Sequence, residues 1–313
     1  MKQSCPSLLN SPIGVFDSGS GGLTILAGLQ KHLPGESFVY LGDHANAPYG
    51  PRTNSEIYAL TQRAVEKLFS QGCRLVILAC NTAAAIALRK LQQDWLPEHY
   101  PGQTHSILGI LVPTIEAVTG RPWLETPVVT ARASSDRIGL FATEATVRSR
   151  SYDTEVGKRS ETIRLYSQAC AELVPAIEQS LRADRMDRLI LGYARELLAQ
   201  VPPSSNSRPL DKVLLGCTHY PLALASFKRA FEELLPEADR PDFICQPSLC
   251  ALSLKSYLDR HAARLNHTAP NESLTGPVTT PLLLTSLDSA IDHSSLDSLA
   301  EQTLGTSCSF RRV

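Results

Sequence analysis

The chain has 313 residues, more than one hydrophobic core usually serves, so two domains are expected. With 43% hydrophobic and 19% charged residues it has the composition of a globular protein and not of a disordered one. A formal net charge of -1 gives no general electrostatic basis for binding nucleic acid or an anionic membrane surface, which leaves a small molecule as the expected partner.

Residues 1–12 lack the apolar run of a secretory signal, and no apolar stretch reaches the length needed to span a bilayer. A cytoplasmic protein is therefore expected, with its eight cysteines mostly reduced. No CxxC pair occurs, so their spacing argues against a metal site.

The first expected strand, 13–16, opens the segment IGVFDSGSGGLTIL and delivers Asp17 to its carboxyl end. Ser18 offers a hydroxyl, and Gly19, Gly21 and Gly22 let backbone N–H groups approach an anion before a helix at 23–31. The glycines do not fall as GxGxxG and no P-loop lysine follows, so a carboxylate-binding loop fits at least as well as a nucleotide site. Asp17 also fits a plain helix cap. A second strand, 38–41, runs into GDHANAPYG, where Pro48 and Gly50 set a turn and Tyr49 with the Gly50 N–H could grip a carboxylate. A helix is expected over 54–71.

The third strand, 75–79, ends at Cys80 in LVILACNTAAA, ahead of a helix over 83–92. Strands at 107–111, 137–141 and 163–166 and helices at 144–150, 173–180 and 184–199 follow. A strand at 213–216 then ends at Cys217 in KVLLGCTHYPL, before a helix at 221–235. The segments 120–135 and 201–209 read as surface insertions and 266–281 as a loop. A strand at 282–285, a helix over 295–304 and the final 308–313 return the chain to a folded domain. The alternation of strands and helices predicts a doubly wound α/β architecture with ligands beyond the carboxyl ends of the strands.

Cys80 and Cys217 thus share one setting, the carboxyl edge of a strand and the amino end of a helix, where unpaired N–H groups and the helix dipole lower a thiol pKa. A single such cysteine is more often a buried structural thiol. A matched pair in different α/β units suggests two bases facing one cleft. Such a pair suits removal of a proton from one face of a carbon and delivery of another to the opposite face, which is racemisation or epimerisation. His219, two residues beyond Cys217, can return its ring to the same cleft.

FDSGSGG, GDHANAPYG, ACNTAA and GCTHYPL, in that order, resemble the glutamate racemases of the aspartate/glutamate racemase superfamily. The likeness extends through VPTIEA (112–117), IGLFATEATVRS (138–149) and CAELVPAIE (170–178) and so covers nearly the whole chain. It implies two pseudo-symmetric α/β domains with the active site in the cleft between them. The first comprises 1–111 and 238–313 and carries Asp17 and Cys80; the second, 112–237, carries Glu178, Cys217 and His219. It further implies interconversion of L- and D-glutamate without pyridoxal phosphate or metal, supply of D-glutamate for peptidoglycan, and a homodimer.

By motif, Cys80 would take the proton from D-glutamate and Cys217 from L-glutamate, assisted by Asp17 and His219 respectively, with Glu178 an acid near the site. Asp17, Ser18, Tyr49, Gly50, Asn81, Thr82, Thr218 and His219 would hold the substrate. His44 and Asn46 stand where many members carry Thr and Arg, and Gln246 replaces a common acid; neither departure falls in the two-cysteine core. A racemase of another substrate, such as aspartate or a hydantoin, shares the same chemistry. A noncatalytic binder has no need of two activated thiols, and a thiol redox protein needs cysteines close enough to bridge.

Overall fold

The computed structural model describes residues 11–102, 104–120, 136–203, 208–265, 280–287 and 294–313. The expected insertion at 120–135 and the loop at 266–281 fall almost entirely outside these residues, as does the middle of 201–209.

Two fully parallel sheets organise the chain. The first contains β1 (Ile13–Asp17), β2 (Phe38–Gly42), β3 (Leu75–Leu78), β4 (Ser106–Gly109), β9 (Leu282–Thr285) and β10 (Phe310–Arg312) in the order β10-β9-β2-β1-β3-β4. The second contains β5 (Arg137–Ala142), β6 (Arg164–Ala169), β7 (Lys212–Gly216) and β8 (Asp242–Ile244) in the order β6-β5-β7-β8. Parallel neighbours require crossovers, which explains the near-continuous apolar strands: β1, β2 and β3 are buried at every position.

In each sheet the winding reverses about a central strand, β1 in the first and β5 in the second. The loops after β1 and β3, and those after β5 and β7, therefore flank the two topological switch points, where α/β sheets bind ligands. Asp17 and Cys80 lie at the first switch point. Thr143 and Cys217 lie at the second.

The helices near these points are α1 (Leu23–His32), α2 (Asn54–Ser70), α3 (Asn81–Lys90), α4 (Leu96–His99), α5 (Leu111–Thr119), α6 (Glu144–Ser149), α7 (Ser151–Gly157) and α8 (Leu173–Glu178). Then come α9 (Ala183–Ala199), α10 (Leu224–Leu234), α11 (Gln246–Leu265) and α12 (Ser294–Leu304). The start of α2 carries a complete capping box, in which Thr53 and Glu56 satisfy each other's backbone N–H groups. β5 serves two cores with its alternating side chains. Ile138, Leu140 and Ala142 join the cluster around the first sheet, while Phe141 packs with Phe227 and Phe231 in the second.

The expected elements are present, with shifts that have local causes. The strand expected over 107–111 ends at Gly109 and α5 begins at Leu111, two residues ahead of Pro113, whose fixed φ suits the first turn of a helix. Helix α3 begins at Asn81, two residues earlier than expected, because Cys80 itself is the N-cap. β8, β10, α5, α7 and the 20-residue α11 were not anticipated. Since β8 pairs with β7, the second sheet extends to Ile244, beyond the return to the first domain expected at 238.

Candidate active site

Asp17 ends β1 completely buried. Its Oδ2 accepts from the Gly19 N–H at 3.0 Å and its Oδ1 from the Thr218 hydroxyl at 3.2 Å. Burial raises its pKa, against the opposing pull of His219, the Gly19 and Gly22 N–H groups and Thr218. The glycines of GSGG have a steric task besides. A Cβ on Gly21 would lie 2.5 Å from His219 Nδ1 and 2.6 Å from Thr218 Oγ1, and one on Gly22 would lie 2.5 Å from Asp17 Cβ. Only glycine lets this loop meet the turn after β7.

Cys80 caps α3. Its sulfur accepts from the Ala83 N–H at 3.4 Å and its thiol donates to Ser18 Oγ at 3.3 Å. The expectation of a lowered thiol pKa is not met here: burial, and next the Asp17 carboxylate, push it up to about 12, outweighing the Ser18 and Ala83 hydrogen bonds. A helix terminus supplies about half an elementary charge, less than a full carboxylate in the same buried space takes back.

Cys217, at the end of β7, lies 4.0 Å from Nδ1 of His219, and Nε2 of that ring lies 3.0 Å from Glu178 Oε1 at the end of α8. Burial disfavours the imidazolium, yet the Cys217 and Glu178 hydrogen bonds and the charge of Asp17 prevail and push the His219 pKa up to about 10. Glu178 is held below the usual carboxylate range: burial raises it, but the His219 hydrogen bond and charge, with His44, more than offset that. His44 stacks edge-on against Phe310 and sets Nδ1 2.9 Å from Thr285 Oγ1, which gives this departure from the family pattern its own packing niche.

These groups enclose one small cavity between the sheets. Of the residues singled out in the sequence, Ser18, Gly19, Pro48, Tyr49, Gly50, Cys80, Thr82, Glu178, Cys217, Thr218 and His219 line it, together with Ala47, Thr143 and Val174. Asp17 and Asn81 do not line it. Asp17 lies beneath the wall, and the Asn81 side chain is committed to Gln246 and Tyr152. Tyr49 lines the cavity with its ring while its hydroxyl donates to Asp43 Oδ2 at 2.6 Å.

Thr143 was not singled out. It caps α6 and lies 2.8 Å, hydroxyl to hydroxyl, from Thr82, with Thr146 3.0 Å away. Its signal in the sequence was a strand ending in Ala-Thr ahead of a helix, in the same position as the two cysteines.

The cavity is about 20 Å³, enough for about one water. A larger cavity, about 470 Å³, lies behind α3 among Leu88, Leu108, Leu254 and Tyr257. It contains neither Cys80, Cys217 nor His219, so chemistry and not size identifies the site. Among the described residues no group of three His, Cys, Asp or Glu could hold a metal ion, and no helix is long and apolar enough to cross a membrane.

No family model matches the chain. A glutamate racemase of Phenylobacterium zucineum is 43% identical over 253 residues, covering 80% of this chain and 86% of that protein. Among solved structures, a glutamate racemase isoform from Bacillus anthracis superposes with a TM-score of 0.75 at 27% identity, covering 97% of this chain and 98% of the other. The glutamate racemase of Francisella tularensis in complex with D-glutamate shares the fold, with a TM-score of 0.74 at 24% identity over 97% of each chain.

Proposed function

The chain belongs to the glutamate racemases, isomerases acting on amino acids, and from that premise we propose that it inverts the Cα of glutamate with two cysteine thiols and no cofactor. The observation that carries this reading is the convergence of Cys80 and Cys217, each at a strand end beside a switch point, on one cavity.

In one direction the Cys80 thiolate takes the Cα proton of D-glutamate, leaving a carbanion, and the Cys217 thiol then gives its proton to the opposite face. The product is L-glutamate, with the proton on Cys80 and the negative charge on Cys217. The enzyme is then set for the reverse reaction. A Cys80 thiol pushed up to about 12 is costly to ionise but yields a strong base once ionised, which suits so weak an acid as an amino-acid α-C–H. The substrate ammonium, arriving beside it, offsets that cost by its charge. Protonated His219, held by Glu178, balances the charge that appears on Cys217.

Ser18, Thr82 and the Gly50 N–H offer donors for the substrate carboxylates, where they stabilise the charge that develops on deprotonation, while the Thr218 hydroxyl is held by Asp17 and leaves only its backbone N–H for the substrate. Thr143, beside Thr82, adds a hydroxyl for the second carboxylate, the feature that distinguishes glutamate from a monocarboxylic amino acid. The cavity is too small for glutamate, so the lobes part to admit it and close to exclude water. The reaction supplies D-glutamate for peptidoglycan in the cytoplasm.

The test is hydrogen exchange at Cα, followed by NMR in D2O with each enantiomer separately, for the wild type, Cys80→Ala and Cys217→Ala. Solvent deuterium entering with inversion in the wild type, and loss of inversion in both variants, supports the two-thiol reaction. Inversion that persists in either variant overturns it.

A further inference from the structure

Behind the cavity, four buried polar side chains form a closed hydrogen-bond set: Asn81, Thr114, Tyr152 and Gln246. The two amides face each other. Asn81 Nδ2 donates to Gln246 Oε1 at 2.7 Å and Gln246 Nε2 donates back to Asn81 Oδ1 at 3.0 Å. The Tyr152 hydroxyl donates to Asn81 Oδ1 at 2.6 Å, and Gln246 Nε2 also reaches Thr114 Oγ1 at 2.9 Å and Tyr152 Oη at 3.1 Å.

The direction of every bond follows from one fixed end. The Thr114 hydroxyl donates to the Ile110 carbonyl at 2.8 Å, so towards Gln246 it can only accept. That turns the Gln246 amide nitrogen to Thr114 and its oxygen to Asn81. Asn81 must then present Nδ2 to Gln246 and Oδ1 to Tyr152. A carboxylate at 246, having no donor, would break this order at Thr114 and at Asn81 together. Gln246 thus reaches the residue next to Cys80, although in the sequence it lies outside the two-cysteine core.

The placement of the four residues gives the set a mechanical meaning. Asn81 opens α3 directly after Cys80. Thr114 is on α5, which leads away from the first sheet, and Gln246 opens α11, directly after β8 of the second sheet. Tyr152 is on α7, between β5 and β6 of the second sheet. Both passages of the chain between the sheets are therefore tied to the turn that carries one thiol.

We propose that Gln246 is a positioning residue for proton transfer at Cys80, fixing through Asn81 the turn that aims this thiol when the two sheets close on the substrate. This rests on the reading of Cys80 as the base for one face of Cα.

The test uses the full chain with α-deuterated and α-protiated D- and L-glutamate, measuring the primary isotope effect on kcat/KM in each direction for wild type, Gln246→Glu and Tyr152→Phe. Slower transfer at Cys80 makes C–H cleavage more limiting for D-glutamate. For L-glutamate it makes the first transfer, at Cys217, more reversible. The expected result is therefore an isotope effect that rises for D-glutamate and falls for L-glutamate, with at least a tenfold loss of kcat in Gln246→Glu and a smaller change of the same sense in Tyr152→Phe.

Isotope effects unchanged in both directions, with activity following only the folded fraction, would mean the set merely supports the fold and would overturn the proposal. Tyr152→Phe removes a single hydroxyl and carries the test if Gln246→Glu does not fold. The wild type separates this inference from its premise: turnover without solvent hydrogen entering Cα defeats the two-thiol reading, whereas normal exchange with unaltered variants defeats Gln246 alone.

Discussion

The Thr218 hydroxyl donates to Asp17 Oδ1 across 3.2 Å, although 201 residues separate the two in the chain. Thr218 follows one thiol, and Asp17 raises the pKa of the other while also stabilising the His219 cation. One carboxylate therefore acts on both halves of the site. In Asp17→Asn, removal of its charge should let the Cys80 thiolate form at lower pH. Thiolate absorbance near 240 nm, titrated in a Cys217→Ala background, reads this directly. A midpoint unchanged from that of the same background with Asp17 intact would remove Asp17 from the account of Cys80.

Gly21 has no space for a side chain, whereas Gly192 on α9 meets no atom within 4 Å of its would-be Cβ. Gly21→Ala should displace His219 or hold the sheets apart and lower kcat by about 100-fold, the scale expected when catalytic groups shift by about an ångström. Gly192→Ala should leave activity intact and raise stability by about 0.5–1 kcal/mol through helix propensity. Comparable activity for the two variants would contradict the close approach seen at Gly21.

His219 is held protonated, with its pKa pushed up to about 10 from an ordinary value of 6.5. Because the folded value is the higher one, its contribution to stability is complete below about pH 6.5 and is lost as pH rises through about 10. Glu178→Gln removes one of the partners that raise it. The loss of stability with rising pH, which starts near the ordinary value, should then be smaller and end at lower pH, and the alkaline limb of kcat should move to lower pH. Urea denaturation from pH 6 to pH 10 checks the first, and an alkaline limb that does not move would exclude Glu178 as the partner of His219.

Thr143→Val keeps the shape of the side chain and removes a hydroxyl from the cavity wall and from the N-cap of α6. The cap should cost about 1 kcal/mol in stability. If the hydroxyl binds a substrate carboxylate, KM for glutamate should rise by about tenfold or more, the size of a hydrogen bond to a charged group. A changed melting temperature with KM unaltered would leave Thr143 a cap alone.

Much of this site was legible because it is built from local chemistry. A buried apolar strand followed by a small residue, a cysteine and a helix start specifies where Cys80 and Cys217 lie, and β3 and β7 end just before them. The elements that escaped notice had weaker local signals. β8 and β10 are three residues each and take their order from a neighbouring strand. α11 opens with Gln246 and Pro247 after a cysteine, and its buried face, Cys250, Leu254 and Leu258, is visible only once α1 packs against it.

The sequence by itself determined the strand ends, the glycine loop, the two thiols and the histidine beside one of them, since each depends on neighbours within a few residues. Only the tertiary structure decided the state of those groups. The Cys80 thiol is raised because packing buries it and β1 brings Asp17 beside it; His219 is raised because its ring meets Cys217 on one side and Glu178, brought by α8, on the other; and Asn81 faces Gln246 because the return from the second sheet ends beside it. Burial and charge act through space, and the distances that set them are fixed by packing between residues far apart in the chain.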